Sequence, residues 1–425
     1  MKVLVVGSAG HNKGSESVIQ STIDCLKQFP NVDVYLLSMF PEIDSRLCRG
    51  KTFGYPILPS LGFAHFRKVF GIVLCFVLAA THKLLEIDID SLAQMDKYGL
   101  VKLYSQPDVV VFCSGDMISD TYGGLVLLIQ FLKDILLCSL LKRKVILSGA
   151  QFGPFKRNLK GKILMFLTKL GLHNVDGITA RDSFSALSLY DANVNKPPIY
   201  VTADSAFLLQ PASLERIRFI LNQEGIPEVR PLIGINPSAL IYRYSKGADL
   251  GKKRENYLDL MKKTAEYAIE TLDATIVLLP HVFAPRGLDD RIIGEKILQL
   301  VKHKSKIKLI TQEYEAGELK GIIGQLDLLI SSRMHPIIHA ISMHTPVVGI
   351  DYTFKATELM KRVNLQEYLC HVDNVDYGEL KSKIEKAYHN RQKIREILKT
   401  KSEMLEKQAF LNVKLIMDLG GSATR

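Results

Sequence analysis

The chain has 425 residues, of which 47% are hydrophobic and 23% are charged, and its formal net charge is +11 at pH 7. This composition excludes a disordered or fibrous protein, and the length predicts two domains of roughly 200 residues each. The positive charge favours an anionic partner, and nucleic acid, a membrane and a small phosphorylated substrate are all compatible with it.

The cysteine pattern and the N-terminus predict a cytoplasmic protein. The six cysteines form no CxxC pair, so we expect neither disulfides nor a thiolate metal site. The N-terminal apolar run VLVV is shorter than the hydrophobic region of a signal peptide. Two longer apolar segments, 69–80 and 125–141, are predicted to be buried helices, because the first is shorter than the roughly 20 residues that span a bilayer. Docking of the first segment on the inner face of the cell membrane remains an alternative.

Short apolar runs alternate with helical patterns along the chain, which predicts an α/β protein with parallel sheets. The runs are almost continuously hydrophobic, so we expect helices on both faces of each sheet. The predicted strands are residues 2–6, 32–37, 108–112, 144–149, 176–180 and 199–203 in the first half, and 231–236, 275–280, 307–311, 326–330 and 346–350 in the second half.

The stretch 222–231 interrupts this alternation with glycine and proline and is the best candidate for a linker. We therefore predict a first domain at 1–225 and a second at 230–376. Residues 377–425 read as one long amphipathic helix with a charged, solvated face, followed by a tail.

Polar residues after the strands of the first half are candidates for a binding site, because ligands of open α/β sheets bind beyond the carboxyl ends of the strands. The glycine-rich loop after the first strand, which contains Asn12 and Glu16, matches neither GxGxxG nor a P-loop. It is either a tight turn or a loop that binds an acceptor or a phosphate. Later strands are followed by further candidates, which are Asp116, Asp120, Gln151 and Arg181.

Arg181 stands out among these because a guanidinium beside a helix N-terminus is repelled unless an anion is nearby. An isolated aspartate or serine at such a position is explained by helix capping.

In the second half, His281 follows one strand, and Arg333 and His335 follow another in the sequence SSRMHP. Pro336 suits the first position of a helix, which would put His335 at the cap and Arg333 in the loop. Their i, i+2 spacing in an extended loop would turn both side chains to the same side. Lys355 follows the next strand in an adjoining loop.

A metal is a competing interpretation of His281, His335, His339 and His344. The sequence contains no HExxH and no close carboxylate–histidine spacing, so we expect buried, hydrogen-bonded histidines and no metal. We also find no GxSxG elbow and no credible cysteine nucleophile.

In their order, these loops resemble those of the polysaccharide pyruvyl transferase family, which ketalates sugars with the enolpyruvyl group of phosphoenolpyruvate. The resemblance extends over about residues 1–370. The matching pieces are the N-x-G-S-E loop at 12–16, GAQFGPF at 149–155, TARDSFS at 179–185, TADSAFLL at 202–209, LLPH at 278–281 with Asp289 and Asp290, SSRMHP at 331–336 and GIDYTFK at 349–355.

The resemblance implies two Rossmann-like domains facing across a cleft, similar to the GT-B arrangement of glycosyltransferases. It also implies that Arg181 and Arg333 bind the phosphate and carboxylate of phosphoenolpyruvate, with His335 near the reacting carbon as the catalytic residue. We expect further donor contacts from Gln151, His281 and Lys355, and acceptor contacts from Asn12, Glu16, Asp116 and Asp120. The acceptor would be a polysaccharide or a lipid-linked glycan, and no cofactor is expected.

The chemistry of the residues agrees with this interpretation. Phosphoenolpyruvate carries up to three negative charges on a small frame, so its binding needs fixed cations and helix N-termini. A histidine can deliver the proton that the methylene carbon needs. We therefore expect Arg181, Arg333 and His335 to converge on one site.

Two other functions fit the sequence less well. A GT-B glycosyltransferase with a nucleotide-sugar donor would often carry two glutamates eight residues apart, but the residue eight after Glu358 is Gln366. A nucleic-acid-binding protein is not supported, because there is no RNP-like motif or zinc finger and tryptophan is absent.

Overall fold

In this computed structural model the chain forms two compact units, and each is described by itself. The first unit comprises Met1–Gly10, Val18–Leu208 and Lys407–Arg425, and the second comprises His11–Ser17 and Leu209–Glu406. The structure describes residues 1–54, 99–113, 118–119, 124–238, 240–241, 249–285 and 287–421.

The first unit is built on a seven-stranded sheet with the order β3-β2-β1-β4-β5-β6-β7, in which all neighbouring strands are parallel. Its strands are β1 Lys2–Val6, β2 Asp33–Ser38, β3 Thr52–Gly54, β4 Val109–Phe112, β5 Lys144–Ala150, β6 Gly177–Ala180 and β7 Ile199–Val201. Its helices are α2 Pro41–Asp44, α3 Leu100–Ser105, α4 Gly124–Leu140, α5 Leu159–Leu172 and α6 Ser183–Asp191, together with most of α1 Lys13–Lys27 and short 3-10 helices at Ser45–Leu47 and Ser205–Leu208.

The second unit is built on a six-stranded parallel sheet with the order β10-β9-β8-β11-β12-β13. Its strands are β8 Leu232–Asn236, β9 Thr275–Leu278, β10 Ile307–Leu309, β11 Leu328–Ser331, β12 Val347–Asp351 and β13 Leu369–His371. Its helices are α7 Leu214–Gln223, α8 Leu250–Leu272, α9 Asp290–Leu300, α10 Ala316–Ile323, α11 Met334–Ser342, α12 Lys355–Arg362, α13 Tyr377–His389 and the first part of α14 Arg391–Gly421, with 3-10 helices at Lys304–Lys306 and Gln366–Tyr368.

The central strands are buried along their whole length, which explains their continuous hydrophobicity. Every residue of β4, β8 and β12 is buried, as expected when helices cover both faces of a parallel sheet. All strands predicted from the sequence are present, and the two that were missed, β3 and β13, lie at sheet edges.

Both sheets have the strand order of a doubly wound Rossmann fold, so the predicted α/β class with two Rossmann-like parts is confirmed. In such sheets the connections run in opposite directions from one central pair of strands, and ligands bind beyond that pair. The pair is β1 and β4 in the first unit and β8 and β11 in the second. The sequence SSRMHP begins at Ser331, the last residue of β11, and therefore lies at the switch point of the second sheet.

Of the two apolar segments noted in the sequence, 125–141 forms most of α4, whose Leu128, Phe131 and Ile135 are buried. The other segment, 69–80, lies outside the described residues. Within the described ranges, no helix combines the length and the apolar character that a bilayer crossing requires.

The boundary between the units falls at Leu208, earlier in the chain than the predicted linker at 222–231. Helix α7, which precedes most of that linker, packs within the second unit. Ala212 N donates to Gly317 O at 3.0 Å, and Ile217 lies so close to Gly321 that a Cβ there would be 2.6 Å from its Cδ1.

The C-terminal region also differs from the prediction of one helix and a tail. It forms two helices, α13 and α14, separated at Asn390. From Lys407 onward α14 belongs to the first unit. There the buried Asn412 accepts a hydrogen bond from Thr202 Oγ1 at 2.7 Å and donates to Ala203 O at 2.9 Å.

We expect Asn412→Leu to lower the free energy of unfolding by about 1–3 kcal/mol, because the buried partners of the amide would lose their hydrogen bonds. The measurement is urea unfolding followed by circular dichroism. The neighbouring Leu411 is 45% exposed, and Leu411→Ala serves as the control, with an expected change of less than about 0.5 kcal/mol. Equal stability of the two variants would contradict this role of Asn412.

Candidate functional site

Three histidines lie together in the second unit and form what we call the histidine cluster: His281, His335 and His339. His281 follows β9, and the other two are on α11. The rings of His281 and His339 meet edge to face, with centroids 5.3 Å apart. His335 is close enough to influence the pKa of both other rings.

The end of β11 places His335 in the first turn of α11. Ser331 Oγ donates to Arg333 O at 2.9 Å and accepts from Arg333 N at 3.1 Å, and Arg333 then caps a helix that begins at Met334. The expectation that Pro336 starts the helix with His335 as its cap was wrong by two positions. Proline is tolerated at the third position, because the first N–H groups of a helix have no partner within it.

Arg333 is buried and held by a two-point ion pair with Asp290. Its Nε and Nη2 donate to Asp290 Oδ2 and Oδ1 at 2.7 and 2.6 Å. Asp290 Oδ2 also accepts from the backbone N–H groups of His281 and Val282. Burial opposes the charge of the guanidinium, but Asp290 outweighs it and raises the pKa of Arg333. Arg333 is therefore charged and fixed in orientation.

The loop after β1 packs within the second unit, against the histidine cluster. Gly14 lies against His335, since a Cβ at this position would be 2.2 Å from His335 Nδ1. Ser17 Oγ is 3.0 Å from His339 Nε2. Asn12 Oδ1 accepts from the N–H groups of Gly14 and Ser15 at 3.0 and 3.4 Å, which fixes the start of α1. A glycine is thus required where the imidazole contacts the backbone.

Ion pairs of the buried Lys13 and Glu16 hold the same loop in place. Lys13 Nζ is 2.9 Å from Glu16 Oε2 and 2.8 Å from Glu313 Oε1. Glu16 Oε1 accepts from Ala316 N, at the start of α10, at 2.8 Å. These contacts give Asn12 and Glu16 a structural role, and their predicted contact with the acceptor remains a prediction.

His281 and His339 are neutral at pH 7. Burial lowers the pKa of both rings well below the ordinary value, helped at His281 by the neighbouring histidines and then by Arg333 and Lys13, and at His339 by Lys320 and then His335. A neutral imidazole has one N–H donor and one acceptor nitrogen.

The expectation of buried, hydrogen-bonded histidines holds for His339, which is hydrogen-bonded to Ser17. It holds in part for His344, which is hydrogen-bonded to Ser402 at 3.0 Å but is only partly buried. It fails at His281. This side chain is 1% exposed, and neither ring nitrogen has a hydrogen-bond partner among the described residues. Burying a donor and an acceptor without partners is unfavourable, so His281 is the best candidate in the cluster for a ligand contact.

Two predicted donor residues lie at neighbouring strand ends of the first unit. Arg181 N donates to Ala150 O at 3.1 Å, which places Arg181 next to the strand that Gln151 follows. Arg181 Nη1 is 3.0 Å from Asp204 Oδ2, and its Nε is 3.7 Å from Asp182 Oδ2. The anion that we expected beside Arg181 is therefore supplied by the chain itself.

Gln151 is buried, and neither its amide oxygen nor its amide nitrogen has a hydrogen-bond partner within the described part of the chain. Like His281, it has unmet hydrogen-bonding capacity at the end of a strand. Its predicted contact with the donor remains a prediction.

Lys355 begins α12 after β12 and is half-buried. Its position is set by Asp351, whose Oδ2 accepts from Thr357 N at 3.0 Å and from Thr357 Oγ1 at 2.7 Å. Burial raises the pKa of Asp351, against the effect of these hydrogen bonds.

The structure thus brings His281, Arg333 and His335 together in the second unit. Their convergence with Arg181 remains a prediction, and Asp116 and Asp120 lie outside the described residues. In the described ranges, no group of three or more histidine, cysteine, aspartate or glutamate side chains is placed to hold a metal ion.

Sequence reasoning did not assign roles to Lys13, Ser17 and Asp290. The i, i+3 spacing of Lys13 and Glu16 on a helix was the one local signal for their ion pair. Asp290 is part of the family pattern, but its pairing with Arg333, like the contact of Ser17 with His339, joins segments that are distant in the chain and has no local signal.

Solved structures with the same fold define the class. A UDP-GlcNAc 2-epimerase from Neisseria meningitidis, bound to UDP-GlcNAc, has a TM-score of 0.60 at 13% identity, covering 98% of this chain and 100% of that chain. HepE from Anabaena in complex with UDP has a TM-score of 0.58 at 11% identity, covering 99% and 100%. These likenesses show the fold alone, and the fold is that of GT-B glycosyltransferases and epimerases.

A family model described as polysaccharide pyruvyl transferase matches residues 25–353, and the chain belongs to this family. The amylovoran biosynthesis protein AmsJ of Erwinia amylovora is 24% identical, over 99% of both chains. The chain is therefore a transferase, and its family acts in polysaccharide modification.

Lys320, on α10, offers a test of the electrostatics around His339. It is buried, its Nζ donates to Leu209 O at 2.5 Å, and burial lowers its pKa from 10.5 to about 8. Because the folded pKa lies below the unfolded one, the unfolded state binds more protons between these values, and the contribution of Lys320 to stability rises with pH in this window.

We expect the difference in unfolding free energy between the natural protein and Lys320→Met to shift in favour of the natural protein by up to about 3 kcal/mol from pH 8 to pH 10.5. The measurement is urea unfolding at a series of pH values. Lys361→Met, at an exposed lysine, is the control and should show no such trend. A pH-independent difference for Lys320→Met would show that this lysine titrates normally.

Proposed function

We propose that the protein transfers the enolpyruvyl group of phosphoenolpyruvate onto hydroxyls of a sugar, in a polysaccharide or a lipid-linked glycan. The product is a pyruvate ketal, and phosphate is released. The observation that carries the proposal is the histidine cluster beside Arg333 at the switch point of the second sheet, in which the ring nitrogens of His281 have no hydrogen-bond partner among the described residues.

The second unit has the donors that a small anion needs. Arg333 is kept charged and oriented by Asp290, and a guanidinium has more N–H donors than one carboxylate can occupy. The first turn of α11 adds backbone N–H groups and the positive end of a helix dipole. The neutral His281 can donate one further hydrogen bond. In our proposal Arg181, Gln151 and Lys355 complete the contacts with the donor.

The reaction requires one proton transfer to carbon and two attacks by oxygen. A proton adds to the methylene carbon of phosphoenolpyruvate, and the central carbon becomes cationic. A sugar hydroxyl attacks that carbon and loses its proton. A second hydroxyl then attacks, while phosphate departs with the electron pair of the carbon–oxygen bond. Each hydroxyl proton is returned to a base or to phosphate, so protons and electrons balance.

We assign the proton transfer to carbon to His335. A histidine can donate and accept protons near neutral pH. The contact between its ring and the backbone of Gly14 limits how the imidazole can move. His281 and His339 are neutral, so in this proposal they orient the substrate and do not compete with His335 as proton donors.

A nucleotide-sugar donor is the second candidate, because the solved structures of the same fold include complexes with UDP and UDP-GlcNAc. In this chain Glu358 is paired with the neighbouring Lys361 at 3.0 Å. Gln366, eight residues later, begins a 3-10 helix. The glutamate pair that often binds such donors is missing at these positions, which favours phosphoenolpyruvate.

The proposal is tested by incubating the protein with phosphoenolpyruvate and a panel of sugar acceptors and measuring phosphate release. We expect His335→Gln to lower turnover by roughly 10² to 10⁴, the usual contribution of general acid–base catalysis, with an unchanged melting temperature. His303→Gln, at an exposed histidine, is the matched control.

Near-normal turnover of His335→Gln would remove His335 from the mechanism. If the natural protein releases no phosphate with any acceptor of the panel, while it transfers a sugar from a nucleotide-sugar, the proposed donor is wrong.

A further inference from the structure

Helix α5 of the first unit, Leu159–Leu172, has two apolar faces, and packing explains one of them. Its buried positions are Gly161, Leu164, Thr168, Gly171 and Leu172. This face packs on α4, where Leu132 approaches so closely that a Cβ on Gly171 would lie 2.2 Å from its Cδ2.

The opposite face carries an apolar stripe that is open to solvent. Leu159, Ile163, Phe166 and Leu170 are 75%, 44%, 62% and 55% exposed. Their spacing of four, three and four residues places them along one side of a helix. Single exposed hydrophobic residues are ordinary, but a contiguous row of large ones marks an interaction surface.

The charges around the stripe have one sign. Five basic residues lie between 156 and 169, and the first acidic residue after them is Asp176. At 100° per residue, Lys162 and Lys169 lie on one flank of the stripe and Lys160 on the other. Lys156 and Arg157 precede the helix and are exposed.

We propose that this face of α5 docks on an anionic phospholipid surface. An apolar row with lysines on both sides is the pattern of a helix that lies in the membrane interface, where the apolar side chains enter the acyl boundary and the cations meet the headgroups. Lysine suits this position because its aliphatic stem covers apolar surface while the ammonium group stays in water.

A second copy of the chain fits this face less well. A symmetric contact would bring the same basic flanks together with no carboxylate on the helix to balance them, which is unfavourable. The proposal does not depend on the identity of the donor, since it concerns only where the protein docks.

The absence of tryptophan from the chain allows a direct experiment. Phe166→Trp creates a protein with a single tryptophan at the centre of the stripe. We expect its emission to shift to shorter wavelength, and its quenching by iodide to fall, when vesicles of phosphatidylcholine mixed with phosphatidylglycerol are added. Vesicles of phosphatidylcholine alone, or high salt, should give a much smaller effect.

Phe219→Trp is the matched control, because Phe219 is 56% exposed on α7 in the second unit. A charge control is also available. Lys160→Glu with Lys162→Glu should abolish co-sedimentation with the anionic vesicles, whereas the same change in net charge at the exposed Lys302 and Lys407 should reduce it only slightly.

The proposal is overturned if Phe166→Trp does not respond to anionic vesicles, or responds no more than Phe219→Trp. It is also overturned if the Phe166→Trp emission is already shifted and shielded without lipid, because another part of the chain would then cover the stripe. A shift that follows protein concentration, with a dimer mass by light scattering, would identify the face as a contact between two copies.

Discussion

The ion pair between Arg333 and Asp290 is the interaction on which the candidate site depends. A buried charge needs a partner with good geometry, and removing one partner of such a pair typically costs about 3–5 kcal/mol. Asp290 accepts hydrogen bonds from Nε and Nη2 of the guanidinium and also from two backbone N–H groups after β9. It thereby ties the ends of β9 and β11 to the start of α9, and the positions of His281 and His335 follow from that junction.

The charges of this region are compensated within the second unit. Lys13 and Arg333 are matched by Glu16, Glu313 and Asp290, and two of the three clustered histidines are neutral. Recognition of an anion here would rest on oriented N–H donors and a helix N-terminus, with little excess positive charge. Part of the net positive charge of the chain lies elsewhere, around α5.

The fold could be predicted from the sequence where one segment carries its own signal. Fully buried strands such as β4 and β8 are continuous hydrophobic runs, whereas β3 and β13 lie at sheet edges, are partly exposed and carry too weak a pattern. Gln151, Arg181, His281 and Arg333 lie just beyond strand ends, as the sequence pattern indicated, because parallel topology brings such ends to one edge of a sheet, and their binding roles stay predictions. What could not be predicted depends on packing between distant segments. The second-unit position of His11–Ser17, the return of Asn412 to the first unit and the partner of Arg333 are of this kind.

We propose that the site binds phosphoenolpyruvate, and ligand-induced thermal stabilisation is a direct measurement of such binding. A ligand that binds only the folded state at 100 times its Kd stabilises it by about 2.7 kcal/mol. We expect phosphoenolpyruvate to raise the melting temperature of the natural protein, Arg333→Ala to lose this response, and UDP to give none. Stabilisation by UDP without stabilisation by phosphoenolpyruvate would contradict this proposal.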